Sequence, residues 1–176
     1  MKIPLIVMLL AACAAGQPSG PLMQAILPRF DTVRLNLVEA AELMPEDSYT
    51  YHLTPPQRSW AEWISHNIQM NYNQCGRIHT APAPDVKKWE GVSAKAELVA
   101  GLKESFAYCE GAFKAMTDEK ALQSAAPAGG RPVVPVGLMI GLLNSWNEHY
   151  GNMVGYLRTR NLVPPSTARA AKAAKK

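Results

Sequence analysis

Beyond its first residues, the sequence lacks hydrophobic runs long enough to cross a membrane. Residues 3–12 form a short apolar run, whereas a transmembrane helix needs about 20 predominantly apolar residues. The sequence also lacks sustained alternation of apolar and polar residues, and its strand-like pieces are too short to build a sheet. Both absences favour an all-α fold.

The sequence also lacks several motifs that indicate a particular chemistry. No glycine-rich phosphate loop is present, because residues 128–131 resemble an ordinary flexible loop. No serine has the residues of a nucleophile elbow around it. No Cys-x-x-Cys spacing indicates a thiolate zinc site. Ser145 and His149 are one helical turn apart, but no oxyanion site accompanies them, so the sequence does not indicate a catalytic serine.

The body of the chain lacks an excess of positive charge. The formal net charge is +4, with 18 basic and 14 acidic residues. Five of the basic residues lie at the ends of the chain: Lys2, Arg169, Lys172, Lys175 and Lys176. Subtracting these five from 18 leaves 13 basic residues against 14 acidic ones. The sequence therefore does not predict a basic surface that binds nucleic acid. Residues 166–176 are expected to be a basic, frayed tail, with weak attraction to anionic lipid as the alternative.

Residues 1–20 have the features of a secretory signal. Lys2 supplies a positive charge before the apolar run, and small residues follow it. Residues 12–14 fit the small-x-small cleavage rule, whereas residues 10–13 resemble the bacterial lipoprotein signature, in which Cys13 is the lipidated first residue. We favour the second cleavage, which predicts an exported protein, periplasmic or anchored to a bacterial membrane as a lipoprotein.

Residues 21–165 are the size of one domain and read as four helices. The first helix is expected to begin near Pro28, or to be kinked there, and to end before Pro45. Ser59 and Glu62 have the spacing of a capping box at the start of the second helix. This helix is expected to run to about Cys75 and to end at Gly76.

The third helix is expected to start at Ser93, and the fourth lies between a breaker-rich stretch, residues 126–135, and Pro164. Each carries an apolar stripe at steps of three and four residues, which predicts a four-helix bundle. The long connections indicate that at least one crosses over. The apolar positions of the third stripe are Leu98, Leu102, Phe106, Cys109, Phe113 and Met116, and those of the fourth are Leu138, Leu142, Trp146, Met153 and Tyr156.

Two partly polar strips are the candidate site. On the second helix Gln69, Met70 and Asn73 follow His66, and on the fourth Ser145, His149 and Asn152 share one side. If the strips face each other, two imidazoles lie in one seam, a natural place for a metal or a small ligand. The alternatives are that one strip faces water, or that His149 is a core histidine bonded to a neighbour.

Cys75 and Cys109 are the two cysteines left after the signal. An even pair in an exported protein predicts a disulfide, because the compartment is oxidising. Two buried thiols are the alternative.

The order and spacing of several motifs resemble the DinB-like family over roughly residues 25–166. The motifs are Met44-Pro45-Glu46-Asp47-Ser48-Tyr49, Arg58-Ser59-Trp60 leading to His66, Lys95-Ala96-Glu97-Leu98, Phe106-Ala107-Tyr108-Cys109, Asn147-Glu148-His149-Tyr150-Gly151, Tyr156-Leu157-Arg158 and Val163-Pro164-Pro165. The resemblance implies a four-helix bundle that binds a divalent metal, commonly zinc or nickel, through three histidines.

Carried over to this chain, the resemblance places the first ligand at His66 and the last at His149. Ser145 stands where the family has its third histidine, and a neutral hydroxyl is a poor zinc ligand. His52 and His79 lie outside the helices of the site, and Glu148 points about 100° away from His149 around the helix. The resemblance therefore implies a degenerate metal site of low affinity.

Three functions remain open at this point. The first is weak binding of a metal or of a small-molecule ligand. The second is a metal-dependent enzyme, because some members of the family transfer or isomerise groups with a low-molecular-weight thiol. The third is a structural or interaction protein of the cell envelope. The sequence leaves open whether the protein forms a homodimer.

Overall fold

A computed structural model of the chain describes residues 20–79, 84–124 and 131–175, and the regular structure in these ranges is helical, as predicted. The helices are α1 Pro21–Leu43, α2 Trp60–His79, α3 Lys95–Lys114, α4 Asp118–Leu122, α5 Pro135–Thr159 and α6 Pro165–Ala173, with 3₁₀ turns at Glu46–Ser48 and Lys87–Trp89. The predicted signal segment and Cys13 lie outside the described residues. None of the helices in these three ranges is both long and apolar enough to cross a membrane.

Helices α2 and α3 are neighbours that run in the same direction. Asn71 contacts Ser105, and one turn further along both helices Cys75 contacts Cys109. Two consecutive parallel helices need a connection that returns the chain along the bundle. The predicted crossover therefore lies between the end of α2 and the start of α3.

Helix α5 runs antiparallel to α2, because Asn67 bonds to His149 whereas Asn71, one turn later, bonds to Trp146. Helix α1 packs against α3 and α5. The ammonium of Lys95, at the start of α3, donates to the carbonyl of Met44 just after α1, over 2.8 Å. The four long helices thus enclose one core.

Aromatic rings fill the centre of that core. Phe30 of α1 lies 6.2 Å from Phe106, 4.7 Å from Phe113 and 5.6 Å from Trp146, measured between ring centroids. Their burial supplies a large share of the hydrophobic stabilisation, because each ring removes a large apolar surface from water. Most stripe residues are buried as predicted, but Leu138 and Met116 are only partly buried and pack on the edge of the core.

The first of the two alternatives predicted for Pro28, that α1 begins near it, is wrong. The helix begins at Pro21, and Pro28 lies inside it. The backbone N–H groups of Leu22 and Met23 donate to the carboxylate of Asp118, each over 2.9 Å. These bonds satisfy amides that a helix start otherwise leaves without partners, and their acceptor lies in α4, a helix that the sequence patterns did not predict.

The start of α2 agrees with the prediction, and its end does not. The predicted capping box is confirmed, because the Ser59 N–H donates to the Glu62 carboxylate over 2.6 Å and the Glu62 N–H donates to the Ser59 hydroxyl over 3.2 Å. Gly76, by contrast, does not end the helix, which continues to His79. Gly76 is buried, and packing in the core outweighs the cost of about 1 kcal/mol that glycine imposes inside a helix.

Most of the predicted frayed tail is helical. Helix α6 continues to Ala173, and Ser166 exchanges hydrogen bonds with the Tyr150 hydroxyl over 2.9 and 3.0 Å. Arg169 forms an ion pair with Glu39. The segment differs from the prediction because these partners lie on α5 and α1, far away in sequence.

The predicted disulfide between Cys75 and Cys109 is present, with Cα atoms 5.2 Å apart and a sequence separation of 34. Both residues are buried, and the bond joins α2 to α3. It therefore ties together the two parallel helices on either side of the crossover.

Reduction of the disulfide should lower the free energy of unfolding by about 2–4 kcal/mol, because the open chain gains entropy when it unfolds. Urea unfolding with and without reductant measures the difference. The double variant Cys75→Ala/Cys109→Ala is the control, and reductant should leave its unfolding curve unchanged. Equal stability of oxidised and reduced wild type would contradict the prediction.

Candidate functional site

Helices α2 and α5 bring His66 and His149 together. The centroids of the two rings are 4.9 Å apart. His149 is 9% exposed, whereas His66 is half-buried. The ring of Trp63 packs against both, 6.2 Å from His66 and 5.3 Å from His149 between centroids. We refer to His66 and His149 as the imidazole pair.

Asn67 determines which nitrogen of His149 carries the proton. The Asn67 side-chain N–H donates to the Trp63 carbonyl over 2.8 Å, so the amide oxygen of Asn67 faces the ring. That oxygen lies 3.0 Å from Nδ1 of His149. Because an amide oxygen can only accept, Nδ1 must donate and Nε2 keeps its lone pair. His149 is thereby held in the tautomer that can bind a metal through Nε2.

Both imidazoles are neutral at neutral pH. Burial, followed by the nearby His66 and Arg58, lowers the pKa of His149 from its ordinary value of 6.5 to about 4. Burial, followed by the positive charge of Arg58, also lowers the pKa of His66. A histidine must be neutral to act as a metal ligand, so protons do not compete for the imidazole pair at neutral pH.

Arg58 lies just before α2, close to Trp63. Its guanidinium carbon is 5.0 Å from the centroid of the Trp63 ring, a cation–π contact that holds the charge close to the imidazole pair. The Tyr156 hydroxyl donates to the Arg58 carbonyl and is 3.3 Å from Nε1 of Trp63, which donates to it. Helix α5 thus fixes the backbone from which Arg58 extends.

Ser145, for which the family resemblance predicts the position of a third ligand, is partly exposed on α5, one turn before His149. It lines a cleft of about 240 Å³ with Met70 and other residues of α2 and α5. Its neutral hydroxyl adds no strong metal ligand to the imidazole pair.

The remaining residues of the two predicted strips have partners elsewhere. The Gln69 amide donates to the Ser65 hydroxyl over 3.0 Å, and the Asn152 amide donates to the Glu148 carbonyl over 3.0 Å. Asn73 is exposed. The polar contact between α2 and α5 is therefore smaller than the predicted seam.

The other two histidines lie away from the imidazole pair. His52 is exposed in the connection before α2, with Nδ1 2.8 Å from the Gln57 carbonyl. His79 ends α2, with Nε2 2.9 Å from the Tyr108 carbonyl. Within the described ranges, no group of three histidine, cysteine, aspartate or glutamate side chains could hold a metal ion.

Sequence reasoning missed a second buried amide, Asn71. It accepts a hydrogen bond from Nε1 of Trp146 over 2.8 Å and donates to the Ser105 hydroxyl over 3.0 Å. That hydroxyl donates to the Leu102 carbonyl over 2.9 Å. Asn71 thereby connects α2 to both α5 and α3 inside the core.

A signal for both asparagines was present in the sequence. Trp63, Asn67, Asn71 and Cys75 follow one another at steps of four on α2 and are all buried. Polar residues at core positions indicate buried hydrogen bonds. The predicted strip that begins at His66 lies on the neighbouring face of the helix and does not include these two asparagines.

Comparison with known proteins gives a consistent result. A family model of the DinB superfamily matches residues 29–150. The crystal structure of a DinB-like protein from Bacillus cereus ATCC 10987 aligns with a TM-score of 0.64 and 15% sequence identity, over 82% of this chain and 93% of that chain. At this identity the likeness shows the fold alone. No protein with a curated description matches the sequence significantly.

The free energy of unfolding of the metal-free protein should fall as the pH is lowered from 6.5 towards 4. Unfolded His149 takes up its proton near 6.5, whereas folded His149 does so only near 4, so in this window the unfolded state binds more protons. The loss is on the order of 2 kcal/mol, because each pKa unit corresponds to about 1.4 kcal/mol and solvent screens part of the effect.

Urea unfolding across this pH range measures the slope. His149→Gln should flatten it, and His52→Gln, the control away from the site, should keep the slope of the wild type. Parallel pH curves for wild type and His149→Gln would show that His149 does not carry the effect.

Proposed function

The chain belongs to the DinB superfamily, and from this premise we propose that it is an exported bundle that binds a divalent metal weakly, or a small ligand, through His66 and His149. The observation that carries the proposal is the imidazole pair itself. Its rings are 4.9 Å apart, and Asn67 holds Nδ1 of His149 so that the lone pair of Nε2 is available. Both rings are neutral at neutral pH, as metal ligands must be.

The side chains present fit a metal only in part. Two imidazoles suit zinc or nickel, but a zinc site with an open position ordinarily has three protein ligands. Ser145 offers a neutral hydroxyl, and the positive charge of Arg58 opposes a bound cation. A metal held here would supply Lewis acidity, and water would complete its coordination. The protein's own contribution is to hold and orient the two imidazoles and to shield them beneath Trp63.

Metal binding can be tested with protein purified without chelators. Elemental analysis gives the metal content, and calorimetric titration gives the affinity for zinc and nickel. We expect saturable, weak binding of one ion per chain, reduced at least about tenfold in His149→Ala because that variant removes one of two strong ligands. His52→Ala should bind like the wild type. Identical titrations of His149→Ala and wild type would refute the site.

A gain of affinity is a sharper test of the position of Ser145. Ser145→His supplies a third imidazole one turn from His149, so zinc affinity should rise at least about tenfold. Asn144→His is the matched control, because it adds a histidine at the neighbouring, exposed position of α5. An unchanged affinity of Ser145→His, with the helical content intact, would show that position 145 does not face the imidazole pair.

The disulfide supports the proposal that the protein is exported. Cys75 and Cys109 are joined, and structural disulfides persist mainly in oxidising compartments. The positive charge of Lys2 and the apolar residues 3–12 are consistent with a signal sequence.

Mass analysis of the protein from its native host should find diacylglycerol on Cys13 as the first residue. A mature chain that starts elsewhere without lipid would refute the anchor and leave simple secretion. A full-length chain that retains Met1 would refute export.

A further inference from the structure

A cleft lies at one end of the bundle, away from the imidazole pair. Helices α2 and α3 end there, and α4 and the start of α5 complete its walls. Its volume is about 320 Å³, and we call it the basal cleft. Arg77, in its lining, is three turns beyond His66 on α2, which is about 16 Å along the helix. The basal cleft is therefore separate from the proposed metal site.

The lining of the basal cleft combines positive charge with apolar surface. Arg77 and Lys120 are its cationic side chains, and Ser124 adds a hydroxyl. Ile78 and Met116 are among its apolar side chains. No carboxylate of the described residues is part of the lining. A ligand that fits this cleft should therefore carry negative charge next to an apolar part.

Neither of the two cationic side chains has an ion-pair partner in residues 20–79, 84–124 and 131–175. The ion pairs in these ranges use other basic residues: Arg34, Lys103, Lys114 and Arg169. Arg77 donates to the neutral amide oxygen of Gln74 over 3.0 Å, which occupies one of its five N–H donors. The carboxylates of α4 have other partners, because Asp118 accepts from amides of α1 and Glu119 accepts from the Gln123 side chain over 3.0 Å. The charges of the cleft are thus available to an anion.

The sequence around the basal cleft adds little negative charge. Residues 80–83 follow α2 and residues 125–130 lie before α5, and neither segment contains aspartate or glutamate. Helix α5 begins at Pro135, in the wall of the cleft, and its first turn has no acidic residue. No carboxylate in that turn offsets the partial positive charge of the helix end. The electrostatic environment of the basal cleft therefore favours an anion.

The end of α2 that carries Arg77 is held in place by α3. Cys75, two residues before Arg77, is joined to Cys109 by the disulfide. Two residues after Arg77, the ring of His79 packs against the ring of Tyr108 with centroids 4.7 Å apart. Nε2 of His79 donates to the Tyr108 carbonyl over 2.9 Å, so we do not count this proton among the donors to a ligand. Both attachments resist fraying of the last turn, and a rigid Arg77 loses less entropy when a ligand binds.

We propose that the basal cleft binds a phosphate group, with Arg77 and Lys120 as its cationic contacts. A guanidinium donates two parallel hydrogen bonds to phosphate oxygens, and a lysine ammonium binds phosphate as a point charge. Phosphate has more acceptor oxygens than carboxylate, which suits donors from α2 and α4 together. Since water occupies about 30 Å³ per molecule, a volume of about 320 Å³ accommodates about ten non-hydrogen atoms, the size of a glycerol phosphate group.

An anionic phospholipid and a soluble phosphate ester are the two sources of such a group. Leu22 and Met23, at the start of α1, donate to Asp118 of α4, so α1 begins at the same end of the bundle as the basal cleft. Cys13 precedes Gly20 by seven residues, which span at most about 25 Å. If Cys13 carries the proposed lipid, membrane head groups lie within reach of the cleft. The apolar part of the lining also favours a lipid.

Glycerol 3-phosphate and dihexanoyl phosphatidylglycerol, a water-soluble short-chain lipid, are the probes. Glycerate, with a carboxylate in place of the phosphate, is the control ligand. Calorimetric titration into the full chain should show one saturable site for at least one probe, with affinity at least about tenfold higher than for glycerate. The probe that binds more tightly identifies the source of the phosphate group. Absence of saturable binding by both probes, or equal affinity for glycerate, would overturn the inference.

Three charge variants test the location of the site. Arg77→Gln and Lys120→Gln should each weaken binding of the probe at least about tenfold. Lys172→Gln removes the same charge from α6, which packs near the other end of α1 through Arg169 and Glu39, and it should bind like the wild type. Circular dichroism and thermal unfolding establish that the variants fold. Wild-type affinity in both Arg77→Gln and Lys120→Gln, or an equal loss in Lys172→Gln, would overturn the inference.

Zinc titration of the same variants separates this inference from the metal proposal. Arg77→Gln and Lys120→Gln leave the imidazole pair unchanged and should bind zinc like the wild type. Phosphate binding that follows the variants, in a protein that ignores zinc, would support the basal cleft and refute the metal. Zinc binding that depends on His149, without binding of either phosphate probe, would overturn the inference alone.

Discussion

The hydrogen bonds of Asn71 set the register of the bundle. Its amide joins α2 to Trp146 of α5 and to Ser105 of α3, and all three side chains are buried. Hydrophobic burial is non-directional and tolerates sliding of one helix along another. A buried amide does not, because leaving it unsatisfied costs about 1–3 kcal/mol. The alignment that satisfies Asn71 also brings Asn67, one turn earlier, opposite His149.

That register connects stability to the chemistry of the site. The disulfide of Cys75 lies one turn beyond Asn71, so one row of α2 carries the covalent link to α3, the buried amides and the contact with His149. Burial by this row keeps His149 neutral and directs its Nδ1 proton to Asn67. The consequence at acid pH is a lower free energy of unfolding, because the buried neutral imidazole resists protonation in the folded state. The benefit is a lone pair that protons leave free at neutral pH.

Ser145 stands where the family resemblance implies a third histidine, so the imidazole pair would offer a metal two strong ligands instead of three. With the guanidinium of Arg58 nearby, two neutral imidazoles would bind a cation weakly. Ser145 has a small side chain that lies between the imidazole pair and Gly141.

The helical periodicity, the capping box at Ser59 and the pairing of Cys75 with Cys109 could all be predicted from the sequence. The first two rest on contacts within a few residues, which a linear pattern displays. The periodicity left open whether the strips of His66 and His149 face each other or one faces water, and only the folded chain shows their ring centroids 4.9 Å apart. The start of α1 could not be predicted, because the acceptor for its first amides, Asp118, lies more than 90 residues away.

The same reason explains why α2 continues through Gly76, why α6 docks on the bundle and why His149 holds a single tautomer. Each depends on contacts with another helix. The helix propensities of neighbouring residues do not indicate such contacts. The amino-acid order decided which faces are apolar and which residue types are available to the site. The packing of four helices in one register decided which of those residues meet, because only the folded chain sets the distances between them.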